Sequence, residues 1–275
     1  MIKRLLLSLF FISPLVFAQS GSRLIASGGI TGFEGTAGGG ITPWAFIGGY
    51  TSKEEISYSA NVQYLSLNDY SLTTAGAGIS LFDRVEISVQ RQRLDISAGL
   101  TSNVFALLTE GAVTNANSAT IEQDIVGAKV KLFGDGVFTQ NSWGPQVAIG
   151  AQYKKNRDFD SSLSLPDGTV PLPEIGVPLL LGAKDDSGTD VYVSATKLWL
   201  GTPSGYNLLT NLTARYTKAN VFGLLGFGTE ENDNAKLEWE GSLALLGWPK
   251  KIRLLMPLLL TSPINLFQLR QLTSI

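Results

Sequence analysis

From Ile56 to Tyr64 every second residue is apolar: Ile56, Tyr58, Ala60, Val62 and Tyr64 alternate with Ser57, Ser59, Asn61 and Gln63. A period of two is that of a β-strand, whose side chains leave opposite faces in turn. The same separation sets Val85, Ile87 and Val89 against Glu86, Ser88 and Gln90, and Val126, Ala128, Val130 and Leu132 against Gly127, Lys129 and Lys131. It recurs at Val147, Ile149, Ala151 and Tyr153 against Gln146, Ala148, Gly150 and Gln152, and at Leu208, Leu212, Ala214 and Tyr216 against Asn211, Thr213, Arg215 and Thr217. Leu237, Trp239, Leu243 and Leu245 against Lys236, Glu238, Glu240 and Ser242 complete the set. Beyond the first twenty residues no stretch keeps a 3.6-residue apolar rhythm, so the chain is expected to be all-β.

The alternating runs predict strands over 22–31, 42–50, 56–67, 71–82, 85–96, 121–133, 144–155, 189–200, 206–218 and 236–246. Most exceed the roughly 5–6 residues of an ordinary globular strand and reach the roughly 9–11 that a tilted strand needs to cross a bilayer. The links alternate too. One end carries 51–55, 83–84, 134–143 and 201–205; the other carries 32–41, 68–70, 97–120, 156–188 and 219–235, including the three longest. Short turns at one end and long loops at the other are the habit of outer-membrane barrels. Tyr50, Phe82, Phe133, Trp143, Tyr153, Trp199, Tyr206 and Tyr216 lie near strand ends, where interfacial girdles belong. The expected fold is an antiparallel up-and-down transmembrane β-barrel with about 10 strands present. The glycine-rich stretch Gly28 to Trp44 fits a strand poorly and reads as a turn, a plug or a bulged first hairpin.

Residues 1–18 have the three parts of an export signal: Lys3 and Arg4, an apolar stretch from Leu5 to Phe17, and small residues at Val16 and Ala18. The expected cut lies between Ala18 and Gln19. Ser8 and Pro14 interrupt the apolar stretch, which falls short of the roughly 20 residues of a membrane-spanning helix. The domain plan is therefore a signal peptide over 1–18, a barrel domain over 19–247 and an atypical tail over 248–275. The expected location is the bacterial outer membrane, with the periplasm as the alternative.

The whole chain has 21 basic against 23 acidic residues, with no long run of either sign, so no nucleic-acid partner is expected. There is no cysteine and no histidine. Disulfides, Ser-His and Cys-His nucleophile pairs and thiolate or imidazole zinc sites are thereby excluded. Carboxylate, Lys or Tyr chemistry remains, or none.

Between Ser22 and Gly247 the sequence resembles a family of Gram-negative exported proteins known only as a domain of unknown function. The residues that carry the resemblance are TPWAFIGGY (Thr42 to Tyr50), LFDRVEISVQRQ (Leu81 to Gln92), EQDIVGAKVKLFGD (Glu122 to Asp135), GTDVYVSATK (Gly188 to Lys197) and NVFGLLGFG (Asn220 to Gly228). It implies an outer-membrane barrel and supplies no catalytic residue. Past Trp248 the alternation stops, Pro257 and Pro263 interrupt the tail, and the likeness ends. That break points to a frameshift near Lys250 and Lys251 in a parent barrel of about 12 strands, which resequencing of that stretch tests.

Gly35 to Gly40 lacks the Lys-Ser or Lys-Thr of a phosphate loop and reads as a flexible turn. Asp185, Asp186, Ser187, Gly188 and Asp190 lack calcium-loop spacing and read as a solvated turn, as do Glu230, Glu231, Asp233 and Asn234. Glu238 and Glu240 share a strand face, which suits either an acid-base pair or a polar wall. With Glu86, Gln90, Lys129, Lys131, Arg215 and Lys236 they are expected to line a mixed-charge lumen, which is either a water-filled pore or a bonded plug. Arg91, Arg93, Lys154, Lys155, Arg157 and Lys218 fall at outer strand ends and are expected to meet lipid phosphates. No catalytic, metal or cofactor site is assigned. The expected partners are outer-membrane lipid and a small solute passing or bound in the lumen. The expected role is a porin-like channel or structural protein without enzymatic chemistry, the alternative being a soluble periplasmic β protein that binds a ligand or partner.

Overall fold

The computed structural model describes residues 31–49, 53–108, 117–161, 163–164, 174–201, 207–230, 232–246, 252–253 and 257–258. The expected signal peptide, most of the predicted strand 22–31 and most of the tail lie outside them. Eight long strands dominate: β1 (Ile56–Ser66), β2 (Tyr70–Leu81), β3 (Val85–Ile96), β4 (Ala119–Phe133), β5 (Gln146–Asn156), β6 (Ser187–Trp199), β7 (Asn207–Thr217) and β8 (Lys236–Leu246). Each is antiparallel to its neighbour in sequence, so the sheet is one up-and-down meander. Among the described residues beyond β8, Ile252–Arg253 and Pro257–Leu258 pair with it. Among the described residues no ladder joins β1 to β8.

The alternation in the sequence becomes a sheet with two unlike faces. On β3, Glu86, Ser88, Gln90 and Gln92 are buried while Ile87, Val89, Arg91 and Arg93 are exposed. The turn to β3 is tight because Phe82 and Asp83 both take positive φ, 56° and 50°, the backbone of a type I′ hairpin. Arg84 N–H then donates to Leu81 O at 2.9 Å.

The predicted strand 42–50 is not formed: within residues 31–49 Gly38–Gly39 pairs with Thr42–Pro43 as a two-residue ladder, and Thr31 bridges Ala37. The link 32–41, expected at the outer surface, instead lies against the polar face of the sheet. Residues 31–49 form a compact plug, one of the three forms expected of this glycine-rich stretch. Their polar backbone is satisfied by side chains of the wall: the carbonyl of Pro43 accepts from Ser194 at 3.0 Å and Thr213 at 2.8 Å, and that of Ala45 from Gln146 at 2.8 Å. Glycine is required for this packing. A Cβ on Gly38 would collide with Thr42 O, and one on Gly39 would stand 2.5 Å from the Trp44 ring.

The sheet is concave toward the plug. Thr36 Oγ1 donates to Glu86 on β3 at 2.7 Å and lies 3.3 Å from the Tyr192 hydroxyl on β6. Three strand spacings separate β3 from β6, roughly 14 Å on a flat sheet, yet both side chains reach one oxygen. At one end of the sheet the long connections pack together. The β3–β4 connection contains an α-helix, α1 (Ala98–Leu108). Ala183–Asp185 pairs with Phe227–Thr229, joining the two later loops.

Candidate functional site

The centre of the interior is an ion-pair network. Arg215 projects from β7 toward the plug because it follows Asn211 and Thr213 on the inward face. Its Nη1 and Nη2 donate to Glu34 Oε1 and Oε2 at 3.0 and 2.7 Å, and its Nε to Glu240 Oε1 at 2.5 Å. Asp190 on β6 accepts from Arg215 Nη1 at 3.2 Å and from Thr217, and pairs with Lys154 at 2.7 Å. Lys154 on β5 also pairs with Glu34. The Tyr192 ring lies under the guanidinium, 5.9 Å from Cζ. A second pair, Lys129 and Glu86 at 3.0 Å, holds the plug beside it. Glu86 accepts from the amides of Ala37 at 2.9 Å and Gly48 at 2.5 Å, and Lys129 donates to the carbonyl of Trp44 at 3.2 Å.

These ions are out of water, so each carries a desolvation cost that only close partners offset. Burial by itself would raise the Glu34 carboxyl, but the charges of Arg215 and Lys154 outweigh it and hold the group below the ordinary glutamate value. Trp44 anchors the far end of the plug: its indole N–H donates to Ser242 on β8 at 2.8 Å, and its ring packs with Leu198, Leu209 and Ala244.

Of the eight expected lumen residues, Glu86, Gln90, Lys129, Arg215 and Glu240 are buried on the inner face. Lys131 sits at its margin, paired with Asp83 at 2.7 Å. Glu238 is partly buried on the same face and Lys236 is exposed near the strand end. On the described polar face Glu86, Lys129 and Arg215 are bonded to residues 31–49. Both carboxylate oxygens of Glu240 accept from Arg215.

Among the six residues expected at the head-group level, Arg91, Arg93, Lys155, Arg157 and Lys218 are exposed. Arg91 and Arg157 share Asp124, at 2.7 and 2.5 Å, and Arg93 reaches Asp95 and Glu122 at 3.1 and 3.5 Å. Lys154 is a correction. The two-residue period turns it to the opposite face from Lys155, and it is completely buried against Glu34 and Asp190.

Asp190 likewise leaves the acidic run for the interior, while Asp186 stays outside, 3.8 Å from Lys155. Asp233 pairs outside with Lys184 at 2.7 Å and Lys218 at 2.9 Å. Among the described residues no three such side chains are grouped to hold a metal ion.

Glu34, Thr36, Trp44, Asp190 and Tyr192 were not expected in the interior. One signal was available: Glu34 is the single charged residue between Thr31 and Gly49.

A family model described as a protein of unknown function, DUF3034, matches residues 27–252. The chain belongs to this family. Neither a curated protein nor a solved structure matches it. The matched region of this DUF3034 protein takes in the plug and all eight long strands.

Proposed function

We propose that the protein is exported, loses residues 1–18, and forms an outer-membrane β-barrel whose interior is closed by residues 31–49. The observation that carries this is the inversion of burial. Tyr58 and Val62 are 77% and 78% exposed, and Ile87, Val89, Val126, Val193, Leu212, Trp239 and Leu243 are exposed on the same face, while Arg215, Lys129 and Lys154 are buried. Water penalises that arrangement by about 25 cal/mol per Å² of apolar surface, and contiguous apolar patches beyond a few hundred Å² mark contact with another apolar phase. Lipid on the outside and a polar interior remove the conflict.

The concavity and the strand lengths support the same reading. Closure between β1 and β8 would satisfy the edge groups that lipid leaves unpaired. The belt of Arg91, Arg93, Lys155 and Arg157 lies directly beyond Val89 and Tyr153 on the outer face, where lipid phosphates would meet it. The role is that of a closed structural barrel rather than an open porin, and it needs no catalysis.

Membrane fractionation and heat-modifiable gel mobility test the proposal. The expected result is protein in the outer-membrane fraction, released by detergent but not by carbonate, with a faster-migrating unheated form. Recovery in the soluble periplasmic fraction would overturn it in favour of a soluble β protein. Planar-bilayer recording of the refolded protein should be silent, and steady open-channel conductance would contradict the closed interior. Arg91→Ser with Arg93→Ser should weaken retention of phosphate-bearing lipid during extraction; unchanged retention would remove the lipid contact.

A further inference from the structure

Three consecutive residues in the β7–β8 connection take positive φ: Val221 at 48°, Phe222 at 60° and Gly223 at 89°. Glycine adopts that backbone freely, but a β-branched Val and a bulky Phe do so only where their surroundings hold them. The turn is bonded within itself: the amides of Gly223, Leu224, Leu225 and Gly226 donate to the carbonyls of Asn220, Val221, Asn220 and Gly223 at 3.0, 3.2, 3.2 and 3.0 Å. It lies over the interior as a roof. A Cβ on Gly223 would stand 2.4 Å from Gln123 Nε2, and Leu225 packs against Ala119, Ile121 and Val177.

The wall beneath fastens this roof through Lys154. An ammonium has three N–H donors, and here each goes to a different part of the fold: Glu34 in the plug, Asp190 on β6 at 2.7 Å, and the carbonyl of Phe222, inside the strained turn, at 3.2 Å. Lys154 is completely buried, so these acceptors set where its charge sits. Asn156, two residues along the same face of β5, adds a second tie, Nδ2 to Leu224 O at 2.8 Å.

We propose that the turn from Asn220 to Gly226 is a strained latch over the long-loop end of the interior, and that Lys154 couples it to the plug so that the two loosen together. The charges give the direction. Glu34 and Asp190 pull the ammonium from the plug and from β6 and hold it beneath Phe222 O. When Glu34 is withdrawn the ammonium keeps Asp190 and follows it, the Phe222 carbonyl loses a charge-assisted bond, and the turn relaxes. The wall stays paired meanwhile, because Arg215 retains Glu240 and Asp190. The coupling is reciprocal: lifting the turn frees a Lys154 donor and weakens the hold on Glu34.

The latch deepens the reading of a closed interior and rests on it for what the roof closes, while the coupling itself rests on the contacts of Lys154. Hydrogen exchange of the folded, full-length protein tests it, in micelles or in buffer if fractionation finds the protein soluble. Glu34→Gln, which keeps the side-chain shape, should speed exchange of the four turn amides at least about 5-fold and leave the β3 amides paired to β4 unchanged. Asn156→Ala, which cuts the other tie without touching the plug, should speed the Ala37 amide as well as the turn. Val221→Gly with Phe222→Gly relieves the strain, and in that background Glu34→Gln should change turn exchange by under about 2-fold. An unmoved turn in Glu34→Gln, or an unmoved Ala37 amide in Asn156→Ala, would overturn the coupling. Equal acceleration of the β3 amides would overturn it as general loosening, and full acceleration in the glycine background would overturn the strained latch. Fractionation that finds the protein soluble removes the membrane reading and leaves this measurement as it stands, so the two ideas fall separately.

Discussion

Arg215 and Glu34 form a two-pronged pair, Nη1 to Oε1 at 3.0 Å and Nη2 to Oε2 at 2.7 Å, between residues 181 positions apart. The pair fastens strand β7 to the plug where water is excluded, and Glu240 and Asp190 complete the guanidinium's shell.

Arg215→Met should therefore destabilise the folded protein by about 3–5 kcal/mol, the scale for removing one partner from a buried pair. Three carboxylates would be left facing Lys154 alone. Urea unfolding followed by Trp fluorescence measures the loss. The double variant Arg215→Met with Glu34→Leu should recover part of it, which would show as coupling between the two sites.

Acid should loosen the plug through Glu34. Its folded carboxyl titrates below the ordinary value of 4.5, so its stabilisation is fully present above that value and is lost as pH falls through the depressed folded one. Trp44 fluorescence, read from pH 7 downward, should stay flat to about pH 5 and change below the ordinary range. Glu34→Gln should reduce that acid-dependent step.

Glycines in the plug should be far less replaceable than one on α1. Gly38→Ala drives a methyl into Thr42 O and should cost about 1–3 kcal/mol by overpacking. Gly99→Ala meets nothing within 4 Å and should change stability by under about 1 kcal/mol. Thermal melts of the two variants compare them directly.

Val126, exposed in the middle of the apolar face of β4, separates lipid from water as the outer medium. Val126→Arg should cost about 2–4 kcal/mol and reduce insertion if the face meets the bilayer core. In a soluble protein an exposed substitution of this kind stays within about 0.5 kcal/mol. Folding yield into lipid vesicles gives the answer.

The long strands were legible because each carries its own two-residue pattern. The expected run 85–96 and the observed Val85–Ile96 coincide, as do 236–246 and Lys236–Leu246. The expected strand 42–50 failed for an equally local reason that pattern alone does not show. Past the two-residue pairing of Thr42 and Pro43, Ala45 spends its N–H on Thr196 and its carbonyl on Gln146 instead of on a ladder. Lys154 and Lys155 look like one charged strand end in the sequence, but adjacent strand residues point to opposite faces, so Lys154 is buried while Lys155 is exposed.

By itself the sequence determined the sheet: which residues are strands, which face of each is polar, and that neighbours in the chain can pair in turn, since all of this is encoded at spacings of one or two residues. Only the tertiary structure decided what fills the polar side. Glu34 reaches Lys154 and Arg215 through contacts 120 and 181 residues apart, and no local period can specify an ion pair whose members meet only when the sheet curves.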